Sequence, residues 1–236
     1  MKCLGIIPAR YGSTRFPGKP LVDIGGKSMI RRVIDQARTC SELTEIWVAT
    51  DDERILKHVE EYGCKAFMTP EACQSGTERI LSLLPEIKNK FDLVLNIQGD
   101  EPFVHTESLS ALLHRMIEAK TDIGTLAVTI TNAEEIADHN RVKVVTSTSG
   151  KALYFSRSVI PFERNPGASY KKHLGVYAYT VEALEKIQSL SASPLEHSES
   201  LEQLRWLEND LSIMVLVTAH DSTGIDTPED LAKYSH

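Results

Sequence analysis

The chain has 236 residues, with 26 Lys and Arg against 33 Asp and Glu, for a formal charge of −7. Hydrophobic residues make up 42% and charged residues 25%, a balance that excludes disordered, collagen-like and coiled-coil chains. No run approaches the ~18 apolar residues of a membrane span, and Pro8 and Arg10 interrupt the N-terminus before a signal-peptide core forms, so the chain reads as cytoplasmic with no membrane partner.

In chain order, 3–7 is a short apolar run that reads as a buried first strand ended by Pro8. Residues 9–27 hold six glycines and prolines and read as a long loop. Met29, Ile30, Val33, Ile34 and Ala37 share one helical face, and 45–50 (EIWVAT) is a second strand. Asp51 or Asp52 reads as the cap of a next helix, with Gly63 at its C-terminal end. A third strand spans 65–68, a helix starts near Gly76 and is cut by Pro85, and 93–97 (LVLNI) is a fourth strand running into Gln98-Gly99-Asp100. This alternation predicts an α/β fold with a mainly parallel, doubly wound sheet. Later strands are expected at 123–130, 142–146, 152–155, 173–179 and 211–217. Later helices are expected at 181–189, 194–208 and 228–234, and Ser193-Pro194-Leu195-Glu196 reads as a capping box. With no linker or repeat, one domain is expected, with a nucleotide-facing half at about 1–125 and a second half at about 126–236.

Cys3, Cys40, Cys64 and Cys73 form no CxxC pair, so neither a zinc site nor a disulfide framework is indicated, and Cys3 and Cys64 read as small buried hydrophobes. The eight histidines show no HxxxH spacing, so any metal would be a hard ion held by carboxylates. Residues 1–38 hold eight bases and two acids, a local +6 within a −7 chain. A nucleic-acid binder should be basic overall, whereas one basic loop suits a small polyanion such as a nucleoside triphosphate. GxGxxG and GxxxxGK[ST] are both absent, which sets aside dinucleotide binding and P-loop chemistry.

The loop IIPARYGSTRFPGKPL, residues 6–21, leaves the C-terminal end of the first strand, where open α/β sheets bind ligands. Its glycines let backbone amides approach phosphate, its prolines stiffen it, and Arg10, Arg15 and Lys19 supply positive charge. This loop resembles the signature of the sugar nucleotidyltransferases. Six further blocks follow in that family's order: QSGTER at 74–79, NIQGDEP at 96–102, YFSRSVIP at 154–161, HLGVYAY at 173–179, SPLEHSESLEQLR at 193–205 and GIDTPED at 224–230. Together they cover nearly the whole chain, and they are most similar to the 3-deoxy-D-manno-octulosonate (Kdo) cytidylyltransferases.

The resemblance implies a Rossmann-like sheet of the nucleotide-diphospho-sugar transferase type, with a smaller region for sugar binding and dimerisation. It implies that CTP and Kdo react to give CMP-Kdo and pyrophosphate for lipopolysaccharide synthesis, in a homodimer with Mg²⁺ as cofactor. By it Arg10, Arg15 and Lys19 hold the triphosphate, Pro8, Ala9 and Gln98 read the cytosine, and Asp100 and Asp226 carry the metal. Asp226 alone reads as well as a helix cap, and Asp100 as a turn residue; Glu101 is the less favoured ligand. Arg79 is implied as the clamp for the sugar carboxylate, although without its motif it would be a surface arginine on a helix. His173, Tyr177, Glu202 and Gln203 match sugar-contacting positions. Read alone, His173 fits a structural histidine as well, and Glu202 and Gln203 fit a solvated helix face equally well. Arg157 and Arg164 are candidates for the pocket or a dimer contact, and the apolar stretches 152–162 and 174–184 for the contact itself.

Two departures matter. Ala72-Cys73 stands where the family commonly has Asp-His, which admits a modified acid such as an amino-substituted Kdo, and Phe162 replaces a Trp. Competing readings are a cytidylyltransferase for another sugar acid, a non-catalytic nucleotide-sensing module and a structural interaction protein. Tyr11-Gly12-Ser13-Thr14 lacks the Gly-Gly-Ser loop of the sialic-acid relatives, and the second and third readings leave the aspartates and the basic loop without a purpose.

Overall fold

Strand β1 (Cys3–Ala9) has six of its seven residues buried, which suits a central strand covered on both faces. In the computed structural model, which describes residues 1–12, 16–221, 224–225 and 227–232, the chain packs as two compact units. One comprises Met1–Ser110 with Ser222–His236, and the other Ala111–Asp221. The expected halves divide near 125; the packing instead changes at 110 and returns the C-terminal segment to the first unit.

In the first unit, a 3-10 turn at Lys19–Leu21 follows β1, and the short strands β2 (Asp23–Ile24) and β3 (Lys27–Ser28) pair antiparallel. Helix α1 (Met29–Arg38) begins where the Ser28 side chain accepts from the Arg31 N–H, and it buries the five residues its apolar spacing selects. At roughly 1.5–3 kcal/mol for each large apolar side chain, that face outweighs any helix-propensity term. Strand β4 (Leu43–Thr50) lies parallel to β1. Helix α2 (Glu53–Glu61) is capped by Asp52, which accepts from the Arg54 N–H at 2.8 Å. Gly63, at φ +70°, supplies the left-handed residue after it. Strand β5 (Lys65–Met68) pairs parallel to β4. Helices α3 (Gly76–Leu81) and α4 (Leu84–Ile87) are the pieces of the helix that Pro85 divides. Strand β6 (Leu93–Asn96) completes a parallel order β6-β1-β4-β5. Helix α5 (Thr106–Ala119), unassigned by the sequence pattern, carries the chain out of this unit.

The second unit is built on β7 (Ile123–Ile130). Helix α6 (Ala133–Ala137), β8 (Lys143–Thr146) and β9 (Ala152–Ser156) precede β10 (Tyr170–Thr180), which is antiparallel to β7 and β8. Helices α7 (Val181–Gln188), α8 (Pro194–Glu199) and α9 (Glu202–Glu208) lead to β11 (Ile213–Thr218), which is parallel to β7. The expected single helix 194–208 is broken at Ser200, whose φ is +51°, and at the extended residue Leu201. Leu174, Val176 and Ala178 are buried within this unit, so the start of the 174–184 stretch is core rather than contact surface.

After β11 the chain rejoins the first unit. Ile225 is buried with Ile24 and Met29, with Phe16 and Leu231 packed on them, and α10 (Pro228–Ala232) closes the described chain. No helix among the described residues is long and apolar enough to cross a membrane.

Candidate active site

Parallel strands present their C-terminal ends at one edge, and in the first unit that edge is where the loops after β1, β4, β5 and β6 emerge. They are packed tightly. A Cβ at Gly99 would lie 2.5 Å from the Pro8 carbonyl oxygen, so the exit of β6 can press against the exit of β1 only without a side chain. Beside them opens a pocket of about 530 Å³. Pro8, Ala9, Arg10, Lys19, Arg79, Gln98 and Asp100, seven of the residues singled out from the sequence, line it, with Cys73, Gln74, Ser75 and Gly76.

The charges in this pocket are opposed in pairs. Lys19, held at the start of the 3-10 turn, places its ammonium 2.9 Å from Asp100 Oδ2. Asp100 is also tied through its backbone, since its carbonyl accepts from the Ile225 N–H at 2.9 Å. The C-terminal segment is thereby fixed against Asp100 one residue before Asp226. Asp226 itself and Arg15 lie outside the described residues.

Arg79 departs from a surface arginine: it is 3% exposed. It leaves α3, which is capped by Ser75, and its Nη1 donates to Thr69 Oγ1. Its Nη2 donates to Asp51 Oδ2 at 2.9 Å. Thr69 in turn donates to the Thr50 carbonyl at 3.0 Å. Asp51 is therefore not a helix cap; Asp52 is, and Asp51 faces the pocket's arginine. Sequence reasoning passed over this role, although Asp51 leaves its strand at the same edge as the basic loop. Cys73 lines the pocket, and burial raises its thiol pKa.

The remaining candidates lie in the second unit. Tyr177 and Gln203 are 4% and 3% exposed. Tyr177 Oη and Gln203 Nε2 find no hydrogen-bond partner. Buried polar atoms without partners are costly, and a site for a polyhydroxylated ligand is one reason to keep them. Burial, with Tyr179 and Glu202 adding to it, pushes the Tyr177 phenol well above its ordinary pKa, so it stays a donor. His173 retains a little accessible surface but is densely surrounded; burial pushes its pKa down to about 3, so the ring is neutral near pH 7. Its Nε2 lies 3.0 Å from Thr125 Oγ1, and its ring stands against Phe155 and Tyr177. Gln203 faces inward because α9 restarts after Ser200, which the solvated-face alternative does not anticipate; Glu202 is half-buried. Arg157 spends its guanidinium on the carbonyls of Glu199, Ser200 and His139, a strap between loops rather than a pocket group.

An acid and bases around an open pocket at a parallel-sheet edge define a nucleotide-binding α/β protein. Comparison with known proteins narrows this. A family model described as cytidylyltransferase matches residues 4–213. A 3-deoxy-manno-octulosonate cytidylyltransferase of Bacteroides thetaiotaomicron is 48% identical, covering 98% of this chain and 96% of the relative. One of Parabacteroides distasonis is 44% identical over 99% and 96%. A solved CMP:2-keto-3-deoxy-manno-octonic acid synthetase, complexed with CTP, is 42% identical with a TM-score of 0.95, covering 99% of this chain and 96% of that one. The chain belongs to the 3-deoxy-manno-octulosonate cytidylyltransferase family.

Proposed function

We propose that this chain is the nucleotidyltransferase that couples CTP to Kdo, releasing pyrophosphate and forming CMP-Kdo. The observation that carries the reading is the single pocket in which Arg10, Lys19, Asp100 and Arg79 converge at the sheet edge. The sugar's anomeric hydroxyl attacks the α-phosphorus, and the pyrophosphate leaves from the opposite side. Such a reaction needs alignment and charge neutralisation more than a covalent nucleophile. Arg10 and Lys19 meet the triphosphate, and Arg15, between them in the sequence, is the third base assigned to it. The rigid backbone at Pro8 and Ala9, with Gln98, reads the cytosine. Arg79 holds the sugar carboxylate, and Tyr177, Gln203, His173 and Glu202 hold the hydroxyls.

Mg²⁺ fits the donors present. Asp100 offers hard carboxylate oxygens at the pocket wall, and Ile225, the residue before Asp226 in the sequence, donates its N–H to the Asp100 carbonyl. Among the described residues no three His, Cys, Asp or Glu side chains gather as a closed metal site. Mg²⁺ takes one or two protein carboxylates and completes its shell with phosphates and water. When bound, it supplies charge neutralisation at the phosphates. Lys19, 2.9 Å from Asp100 Oδ2, would share the charge of the triphosphate with such an ion.

The exposed apolar residues Leu153, Val159 and Phe162, the last 86% exposed, support a homodimer through the 152–162 region. The enzyme works in the cytoplasm on lipopolysaccharide precursors. A substrate panel tests the reading: pyrophosphate release is expected with CTP and Kdo and not with UTP. Release only with an amino-substituted Kdo would keep the chemistry and move the substrate, assigning that shift to Ala72-Cys73.

A further inference from the structure

The loop after β1 and the arginine of α3 belong to different elements, yet one side chain touches both. Asp51, the first residue after β4, has a side chain 13% exposed. Its Oδ1 accepts from the Tyr11 N–H at 3.3 Å, and its Oδ2 from Arg79 Nη2 at 2.9 Å. Tyr11 opens the basic loop and also closes it, because its carbonyl accepts from the Gly18 N–H at 3.0 Å. Asp51 therefore holds the amide of the same residue whose carbonyl pairs with the Gly18 N–H, at the described ends of the basic loop. The Tyr11 ring is covered by Arg54, whose guanidinium carbon is 3.4 Å from the ring centroid, and Arg54 is gripped by Asp52 at 2.6 Å. The two consecutive aspartates thus divide the work: Asp52 caps α2 and steadies the ring, while Asp51 reaches the loop backbone and Arg79.

We propose that Asp51 is a positioning residue for the transfer reaction, joining the triphosphate loop to the arginine that clamps the sugar carboxylate and so fixing the spacing of the two substrates. The inference rests on the roles given above to that loop and to Arg79. Geometry supports it at both ends. Arg79 is pinned between Thr69 and Asp51, which fixes the plane of its fork, and a fork in a fixed plane binds a carboxylate with little further loss of freedom. A small misplacement of either substrate is enough to lower the rate, because the attacking oxygen must meet the phosphorus in line.

Asp51→Asn and Asp51→Ala separate the two contacts. The asparagine keeps an oxygen for the Tyr11 N–H but turns an amide donor toward the Arg79 donors; the alanine loses both contacts. Asp51→Asn should raise the KM for Kdo about tenfold and lower kcat, while CTP affinity by calorimetry stays within about twofold. Asp51→Ala should weaken CTP binding as well, about fivefold. A merely structural carboxylate would lower Tm in both variants and leave the kinetic constants of the folded fraction unchanged, and that result would overturn the proposal. So would equal loss of CTP affinity in the two variants. If Asp51→Ala does not fold, Asp51→Asn still decides. A wild-type enzyme silent with CTP and Kdo contradicts the transferase reading instead, and the calorimetry then still decides whether Asp51 holds the loop.

Discussion

Arg79 sits on a six-residue helix with its guanidinium buried, and its charge is matched by Asp51 rather than by water. Removing the charge leaves Asp51 without its cation, and a partly buried carboxylate left so is costly. Arg79→Gln should therefore raise the KM for Kdo more than tenfold with little change for CTP, and lower Tm; equal KM effects on both substrates would argue against a carboxylate clamp. Gly99→Ala should cost about 2 kcal/mol or more of stability by denaturant titration, because the new Cβ meets the Pro8 carbonyl, backbone that no rotamer change can clear. His173 gives a pH signature. Its folded pKa of about 3 lies below the ordinary 6.5, so between those values the unfolded chain carries a proton that the folded one lacks. The stabilisation is complete above about pH 6.5 and is lost as pH falls, by about 2 kcal/mol at pH 5. Urea titrations at pH 7 and 5 should show that difference shrinking in His173→Phe. Arg10, Lys19, Gln98 and Asp100 stand out because they follow strand ends, where Gly, Pro and charge have few structural reasons to cluster; Pro8 and Ala9 end β1 and Arg79 lies on α3, and only the family resemblance points to them. Asp51 does not stand out, because an aspartate after a strand and before a helix is equally a cap, and only tertiary packing separates it from Asp52.

Among the elements, β1, β6 and α1 of the first unit follow the sequence closely because the two strands are apolar runs and the helix buries a single apolar face. The two-residue strands β2 and β3 instead fall in, or at the end of, the stretch expected to be loop. Helix α5 is not assigned from the sequence, although its pattern is legible: Leu109, Leu112, Leu113 and Met116 repeat at helical spacing and all are buried. Helices α8 and α9 were not legible as two: nothing in HSESLEQ announces a break, and the left-handed Ser200 belongs to a residue type that seldom adopts it. Their junction depends on Glu196, which accepts from the Ser193 N–H at 3.2 Å and from Arg205 Nε at 2.7 Å. Glu196→Ala should lower the unfolding free energy by about 1–2 kcal/mol, read by thermal or urea denaturation. It should also weaken Kdo binding, since Gln203 lies on the helix it anchors; an unchanged KM for Kdo would separate α9 from the sugar site.

At the scale of the molecule, the C-terminal segment was the least legible part of the organisation. Its return to the first unit rests on Ile225 entering a core with Ile24 and Met29, which lie about two hundred residues earlier in the sequence, a meeting no local pattern encodes. That return bonds the Ile225 N–H to the Asp100 carbonyl, and under the Mg²⁺ role proposed above metal binding and docking of this segment would be coupled. Chelation of Mg²⁺ should abolish pyrophosphate release, and added Mg²⁺ should restore it; proteolysis after residue 221 should be slower with CTP and Mg²⁺ than with CTP alone. The most direct test of the central claim is the product itself. Purified enzyme with CTP, Kdo and Mg²⁺ should release one pyrophosphate for each CMP-Kdo detected by mass, and Asp100→Ala should release neither above background. Pyrophosphate without CMP-Kdo, or full activity in Asp100→Ala, would contradict the account.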